Sequence, residues 1–270
     1  MQYSRELIER SYRRLDEARH PKLQSMSRDE MYDHGRIMAP GGLYLASIMA
    51  DALDLKPGAH VLDLGCGRAQ SSIFLASQFG VKVSSVDLWI SAKERSASVK
   101  QAGLKRRIQN YQTDIRRGLP FGPGSFDTIF CLQAFHTFAT TPRVIEYLTR
   151  LLKPGGQICI AQTCFDVEID PLPSIFGQTD GWDARYDTYH SPRWWYDLFR
   201  SQGGLDVHAC HELLDGDIYW EDDVLYRGDR DGWTPKYLSH SSWLFAHILH
   251  GRLAQPKLTH FILVASRPSS

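Results

Sequence analysis

A short apolar run, Val61-Leu62, leads into Asp63-Leu64-Gly65-Cys66-Gly67, and twenty positions after Gly67 a second short run, 81–86, ends at Asp87. No other feature constrains the fold as tightly. A strand, a glycine turn, a helix, a second strand and an acid form the unit with which an α/β sheet holds a nucleoside. The glycines let backbone approach the ligand closely, and the acid accepts hydrogen bonds from ribose hydroxyls.

The neighbours of the glycines select the kind of nucleoside. A dinucleotide-binding loop usually places Gly or Ala three positions after its second glycine, where a pyrophosphate rests on a helix start. This chain has Gln70 there, and it carries a carboxylate, Asp63, two residues before the first glycine. A carboxylate repels a pyrophosphate and attracts a cationic amino-acid tail, directly or through water.

Around this unit, strands alternate with helices from 59 to 165, the pattern of a parallel sheet covered on both faces. The first strand is Val61-Leu62-Asp63, and a helix over 69–79 stops at Gly80, a C-cap residue. A second helix runs to about 102–103. Further strands are expected at 108–113, ending before Asp114, and at 126–132, after the Pro123-Gly124 turn. A helix over 144–152 and the turn Pro154-Gly155-Gly156 lead to a fifth strand, 157–162. Residues 1–55 read as an N-terminal helical cap. Ser27 and Glu30 are spaced as a capping box, and Leu45, Ile48, Met49 and Ala52 fall on one helical face. After 166 the pattern loosens: a helix over 192–202, strands at 205–213 and 260–266, and between them an acidic, tryptophan-rich insertion, 215–255, with a helix near 237–250. The three segments, 1–55, 56–165 and 166–270, read as one domain.

Composition narrows the function classes. Lysine plus arginine equals aspartate plus glutamate at 31 each, so no strong basic field exists to attract nucleic acid or an anionic membrane. With 43% hydrophobic and 23% charged residues the chain can bury an ordinary core. Its five cysteines, 66, 131, 159, 164 and 210, contain no Cys-x-x-Cys pair, which points to buried thiols in a reducing compartment rather than disulfides or a zinc site. The charged N-terminal stretch lacks an apolar signal segment, and no run approaches the roughly eighteen apolar residues of a membrane span. A cytoplasmic protein is the expectation.

At Asp63-Leu64-Gly65-Cys66-Gly67 the chain resembles the class I S-adenosylmethionine-dependent methyltransferases, whose signature loop reads Asp-x-Gly-x-Gly. The resemblance covers roughly 40–165, with looser agreement to the end, and includes Lys153-Pro154-Gly155-Gly156 before the fifth strand. It implies a Rossmann-like, doubly wound, mostly parallel seven-stranded sheet whose last strand is antiparallel. It also implies S-adenosylmethionine as cofactor, S-adenosylhomocysteine as product, and a cofactor site made by Asp63, Gly65, Cys66, Gly67, Asp87, Leu88, Asp114, Ile115 and Gln133. In that reading Gly65 and Gly67 pass under the methionine part and ribose, and Asp63 helps position the amino group. Asp87 takes the ribose hydroxyls and Leu88 packs on the adenine. Asp114 accepts from the adenine amine, Ile115 offers a backbone amide, and Gln133 faces the reacting methyl. Arg68-Ala69-Gln70 departs from the usual loop in lacking a third glycine or small polar residue.

The implied reaction is direct displacement at a sulfonium methyl, so alignment and exclusion of water dominate. A base is needed only where the acceptor loses a proton. His136, a few residues beyond the fourth strand, is the candidate catalytic base, since neutral imidazole suits that task near pH 7; a structural histidine is the competing reading. Tyr186, Tyr189 and His190 are candidates for the acceptor side. Trp182, Trp194, Trp195, Trp220, Trp233 and Trp243 are candidates for an aromatic box, with core packing as their alternative. Cys164 reads as packing. His208, Cys210 and His211 cluster without the ligand set of a metal site, and none is expected; His240, His247 and His250 read as ordinary helix residues. No Asp-Pro-Pro-Tyr-like tetrapeptide or Pro-Cys pair points to nucleic-acid bases, so a small-molecule oxygen, nitrogen or carbon acceptor is expected. Alternatives are a methyltransferase of RNA or protein, a catalytically silent cofactor-binding or scaffold protein, and a nicotinamide oxidoreductase. Homo-oligomer formation and lid closure by 166–190 or 215–255 stay open.

Overall fold

A computed structural model describes residues 20–37, 39–168, 188–232 and 257–269. Seven strands form one sheet in the order β3-β2-β1-β4-β5-β7-β6. They are β1 (His60–Leu64), β2 (Lys82–Asp87), β3 (Ile108–Gln112), β4 (Phe126–Leu132), β5 (Leu152–Phe165), β6 (Asp206–Glu212) and β7 (Leu258–Ser266). β1 to β5 run parallel, and β7 inserts antiparallel between β5 and β6. The Rossmann-like sheet and its antiparallel last strand therefore stand as expected. β1 lies between β2 and β4, where the strand order reverses and where open α/β sheets bind ligands beyond their carboxyl ends.

The helices are α1 (Arg28–Met31), α2 (Gly42–Asp51), α3 (Gln70–Phe79), α4 (Ala92–Gln101), α5 (Pro142–Leu151), α6 (Pro192–Ser201) and α7 (Ile218–Asp231). One apolar cluster joins Leu43, Leu45 and Met49 of α2 and Phe74 and Leu75 of α3 to Val61, Val83, Cys159 and Val264 on one face of the sheet. A second joins Ile145 and Leu148 of α5 and Trp195 and Phe199 of α6 to Leu62, Ile129, Ile160 and Leu263 on the other. Alternate residues of the central strands feed opposite clusters, which is why these strands read as continuous apolar runs.

Local signals hold where they are self-contained. Ser27 and Glu30 close the capping box, with the Ser27 amide donating to Glu30 Oε2 at 2.7 Å, and α3 ends at Gly80 in the left-handed conformation (φ +66°). Two expectations change. α2 buries nearly every side chain from Leu43 to Ala50 rather than one face, because it is held between α3 and the sheet, and Ala52 is exposed just past its end. β5 begins at Leu152, so Pro154-Gly155-Gly156 lies in its irregular first half rather than before it. In the insertion, α7 starts at Ile218, and the helix expected near 237–250 falls outside the described residues.

α7 packs on the N-terminal segment. Asp222 Oδ1 accepts from Arg28 Nη1 at 2.8 Å and its Oδ2 from Tyr32 Oη at 2.7 Å. Burial pushes this carboxyl up to about 7 against the pull of Arg28 and Tyr32. Tyr226 stacks on Tyr32 at 4.6 Å and donates to Asp29. Arg227 bonds Asp223 at 2.9 Å and reaches the Ile37 carbonyl at 2.6 Å. Segments nearly two hundred positions apart thus form one wall beside the carboxyl ends of β1 and β4.

Candidate active site

That wall and the strand ends enclose a cavity of about 630 Å³, within the usual size of small-molecule sites. One half is built by the glycine turn. The Gly65 and Cys66 amides donate to the Val86 carbonyl at 2.8 and 3.2 Å, so the turn lies against the end of β2. Gly65 has φ +67°, and a Cβ there would stand 2.3 Å from that of Ala134. The position therefore needs glycine for both conformation and close approach. The Gly67 amide donates to Asp87 Oδ2 at 2.9 Å, while Asp87 Oδ1 accepts from the amides of Trp89 and Ile90, each at 2.8 Å.

Gly65, Cys66, Gly67, Asp87, Leu88, Asp114, Ile115, Gln133 and His136 all line the cavity. Asp63 does not. It is fully buried beneath the turn, where its Oδ2 accepts from the hydroxyls of Ser71 and Ser72, both at 2.6 Å. Its Oδ1 has no hydrogen-bond partner among the described residues. Burial pushes this carboxyl up to about 6, opposed by the two serines and Arg95. Ser71 does line the cavity, so Asp63 reaches it through that hydroxyl.

Asp114 caps the single turn Ile115–Arg117, and Arg116 holds its carboxyl down at about 2 through side-chain and backbone hydrogen bonds. Leu88 and Trp89 are 43% and 66% exposed at the rim. Gln133 takes the left-handed conformation (φ +57°), with its side-chain oxygen accepting from the Thr163 amide at 2.9 Å and its nitrogen donating to the Pro40 carbonyl at 3.1 Å. His136 sits in the turn Phe135–Thr137, buried. Its amide donates to Gln162 Oε1 at 3.0 Å, and its ring meets Tyr189 edge-on at 5.0 Å.

The other half is formed by Ile37, Pro40, Leu43, Tyr189, Trp220 and Val224, with Asp223 and Arg227. Of the residues expected on this side, Tyr189 lines the cavity, whereas His190 pairs with Glu168 and stacks on Trp194 at 3.7 Å. Tyr186, Trp182, Trp233, Trp243, His240, His247 and His250 fall outside the described residues. Trp195 belongs to the core and Trp220 to the cavity. Among the described residues no His, Cys, Asp and Glu group is arranged to hold a metal ion. His208 bonds Ser266, Cys210 bonds the Pro192 carbonyl, and Cys164 is buried.

Sequence reading missed Arg95. Fully buried beneath the turn, it donates to the carbonyls of Ser85 at 2.7 Å and Tyr111 at 2.8 Å and lies 3.3 Å from Cys66 Sγ. A charged residue on the exposed-looking α4 gave no sign of this. Nor did anything in the spacing tie 28–37 to 219–227.

A family model described as a methyltransferase domain matches residues 62–160. The O-methyltransferase resE of Aspergillus sclerotiorum is 26% identical over 42% of this chain and 43% of its own length. The chain therefore spans less than half of that relative. The solved structure of a sarcosine dimethylglycine methyltransferase from Galdieria sulphuraria superimposes with a TM-score of 0.67 at 19% identity, covering 85% of this chain and 86% of that one. The (4+2)-cyclase SpnF superimposes at 0.65 and 18% identity, covering 84% and 81%. At these identities the structures establish the fold alone. Among the described residues no helix is long and apolar enough to cross a membrane.

Proposed function

Taking as premise that the chain belongs, through residues 62–160, to the class I S-adenosylmethionine-dependent methyltransferases, we propose that it transfers a methyl group to a small-molecule oxygen, nitrogen or carbon acceptor. The observation that carries this is the pairing of the Gly67 amide with Asp87 at the mouth of a cavity over the switch point. The residues suit the cofactor. Ser71, bonded to buried Asp63, lines the cavity where a cationic tail would lie, Gly65 leaves room for backbone contact, Asp87 ends β2, and Asp114 follows β3 by two positions. When bound, S-adenosylmethionine supplies a methyl group on a sulfonium.

In this reading Asp87 binds the ribose, and Leu88, Asp114 and Ile115 frame the adenine. Asp63, through Ser71, together with Gly65, Cys66, Gly67 and Gln133, frames the methionine end. His136, buried at the cavity surface, takes the proton of an acceptor that must lose one. The wall of α7 with Ile37, Pro40 and Leu43 excludes water and aligns the acceptor. We place the protein in the cytoplasm, consistent with its free cysteines, as a single domain without nucleic-acid or membrane partners, open to homo-oligomer formation.

Calorimetry with S-adenosylhomocysteine, followed by transfer of labelled methyl into a fractionated cell extract, tests the proposal. Label in a small metabolite supports it, and label in RNA or protein overturns the substrate class. NAD binding without S-adenosylhomocysteine binding overturns the cofactor. Cofactor binding with no label in any fraction would instead select a protein that keeps the fold without methyl transfer.

A further inference from the structure

We propose that Thr163 is a positioning residue that ties the cofactor-facing Gln133 to Trp220 on the acceptor side of the cavity, an inference that rests on the function proposed above. Thr163 lies at the carboxyl end of β5 and is fully buried. A threonine hydroxyl offers one proton and two lone pairs. Here it receives the Trp220 Nε1 proton at 3.0 Å and lies 3.1 Å from Gln133 Oε1, to which its own proton goes; His260 Nε2 stands farther away at 3.4 Å.

Each end of this chain needs the anchor. Gln133 holds a left-handed backbone conformation that side chains other than glycine rarely adopt. It is kept there by its amide on the Ala161 carbonyl at 2.8 Å and by its side chain between Thr163 and Pro40. Trp220 comes from α7, whose start is seated on β7 by a second bond, His260 Nδ1 donating to the Gly216 carbonyl at 2.6 Å. Gly216 allows that approach, since a Cβ there would meet Thr259 Oγ1 at 2.4 Å. The wall carrying Trp220, Asp223, Val224 and Arg227 is therefore referenced to the strand end that presents Gln133. Misplacing the indole misaligns the acceptor against the methyl while leaving the glycine turn and Asp87 untouched.

The test uses full-length protein and four variants: Thr163→Val, Thr163→Ser, Trp220→Phe and Thr163→Val with Trp220→Phe. With the acceptor found by methyl labelling, Thr163→Val is expected to lower kcat/KM for the acceptor about tenfold, the worth of a net hydrogen bond. S-adenosylhomocysteine affinity should stay within about threefold. Thr163→Ser should restore turnover, and the double variant should be no worse than either single one, because both remove the same contact. The Trp220 indole N–H resonance, identified by its loss in Trp220→Phe, should shift in Thr163→Val and not in Thr163→Ser. That readout requires no acceptor. An unshifted resonance, wild-type turnover in Thr163→Val, or additive losses in the double variant would overturn the proposal. A wild-type protein that neither binds S-adenosylhomocysteine nor transfers methyl would instead overturn the function on which it rests.

Discussion

The amide of Gly67 donates to Asp87 Oδ2 at 2.9 Å, joining the glycine turn to the acid that ends the next strand. The two most diagnostic elements of the sequence are thus one structural unit. Asp87 organises the loop through three amides and stands at the cavity surface. Asp87→Ala is expected to weaken S-adenosylhomocysteine binding by at least about a hundredfold, or about 2.7 kcal/mol, as read by calorimetry. Retained affinity would place the nucleoside elsewhere.

Gly65→Ala should be costly without touching any charge. The residue has φ +67°, and the new Cβ would meet the Ala134 side chain at 2.3 Å. A loss on the order of 2 kcal/mol is expected, seen as a lower Tm together with weakened cofactor binding.

His136→Ala is expected to cut turnover on the order of a hundredfold while leaving cofactor affinity nearly unchanged. Steady-state kinetics with the identified acceptor, paired with calorimetry, reads both. Wild-type turnover would remove His136 from the chemistry and leave it as a packed residue against Tyr189.

Arg227→Met tests the wall between α7 and the N-terminal segment. Arg227 is the ion-pair partner of buried Asp223 and bonds the Ile37 carbonyl. Removing one member of such a pair strands the other, at a cost of about 3 kcal/mol. Chemical denaturation should report that loss, with a fall in acceptor turnover.

His260 gives the fold a dependence on pH. It is fully buried with Nδ1 on the Gly216 carbonyl, and burial pulls it down from 6.5 to about 4. The folded state needs the neutral ring. Its contribution is complete above about 6.5 and is lost as pH falls from there towards about 4, by roughly 3 kcal/mol at most. Stability measured against pH should show a steeper acid loss in the wild type than in His260→Gln. Parallel curves would mean that the ring is not held neutral by the fold.

The sheet, the glycine turn and the acids at the strand ends were legible in the sequence because each is a local matter. Strand periodicity, a positive-φ turn and a helix cap depend on neighbours a few positions away, and β4 was readable to the residue. The placement of Asp63 was not. Its partners Ser71 and Ser72 lie in the first turn of α3, and only the packing of that helix on β1 turns the carboxylate beneath the loop rather than into the cavity. The cavity wall built by α7 and the N-terminal segment was the least legible. Trp220 was one of several tryptophans of equal standing, and Arg28, Asp222 and Arg227 were charges without visible partners. Their pairing joins segments nearly two hundred residues apart, and such contacts arise when two surfaces bury each other, leaving no periodic trace. The sequence by itself determined which nucleoside-binding fold the chain adopts. Tertiary packing alone decided which side chains enclose the cavity.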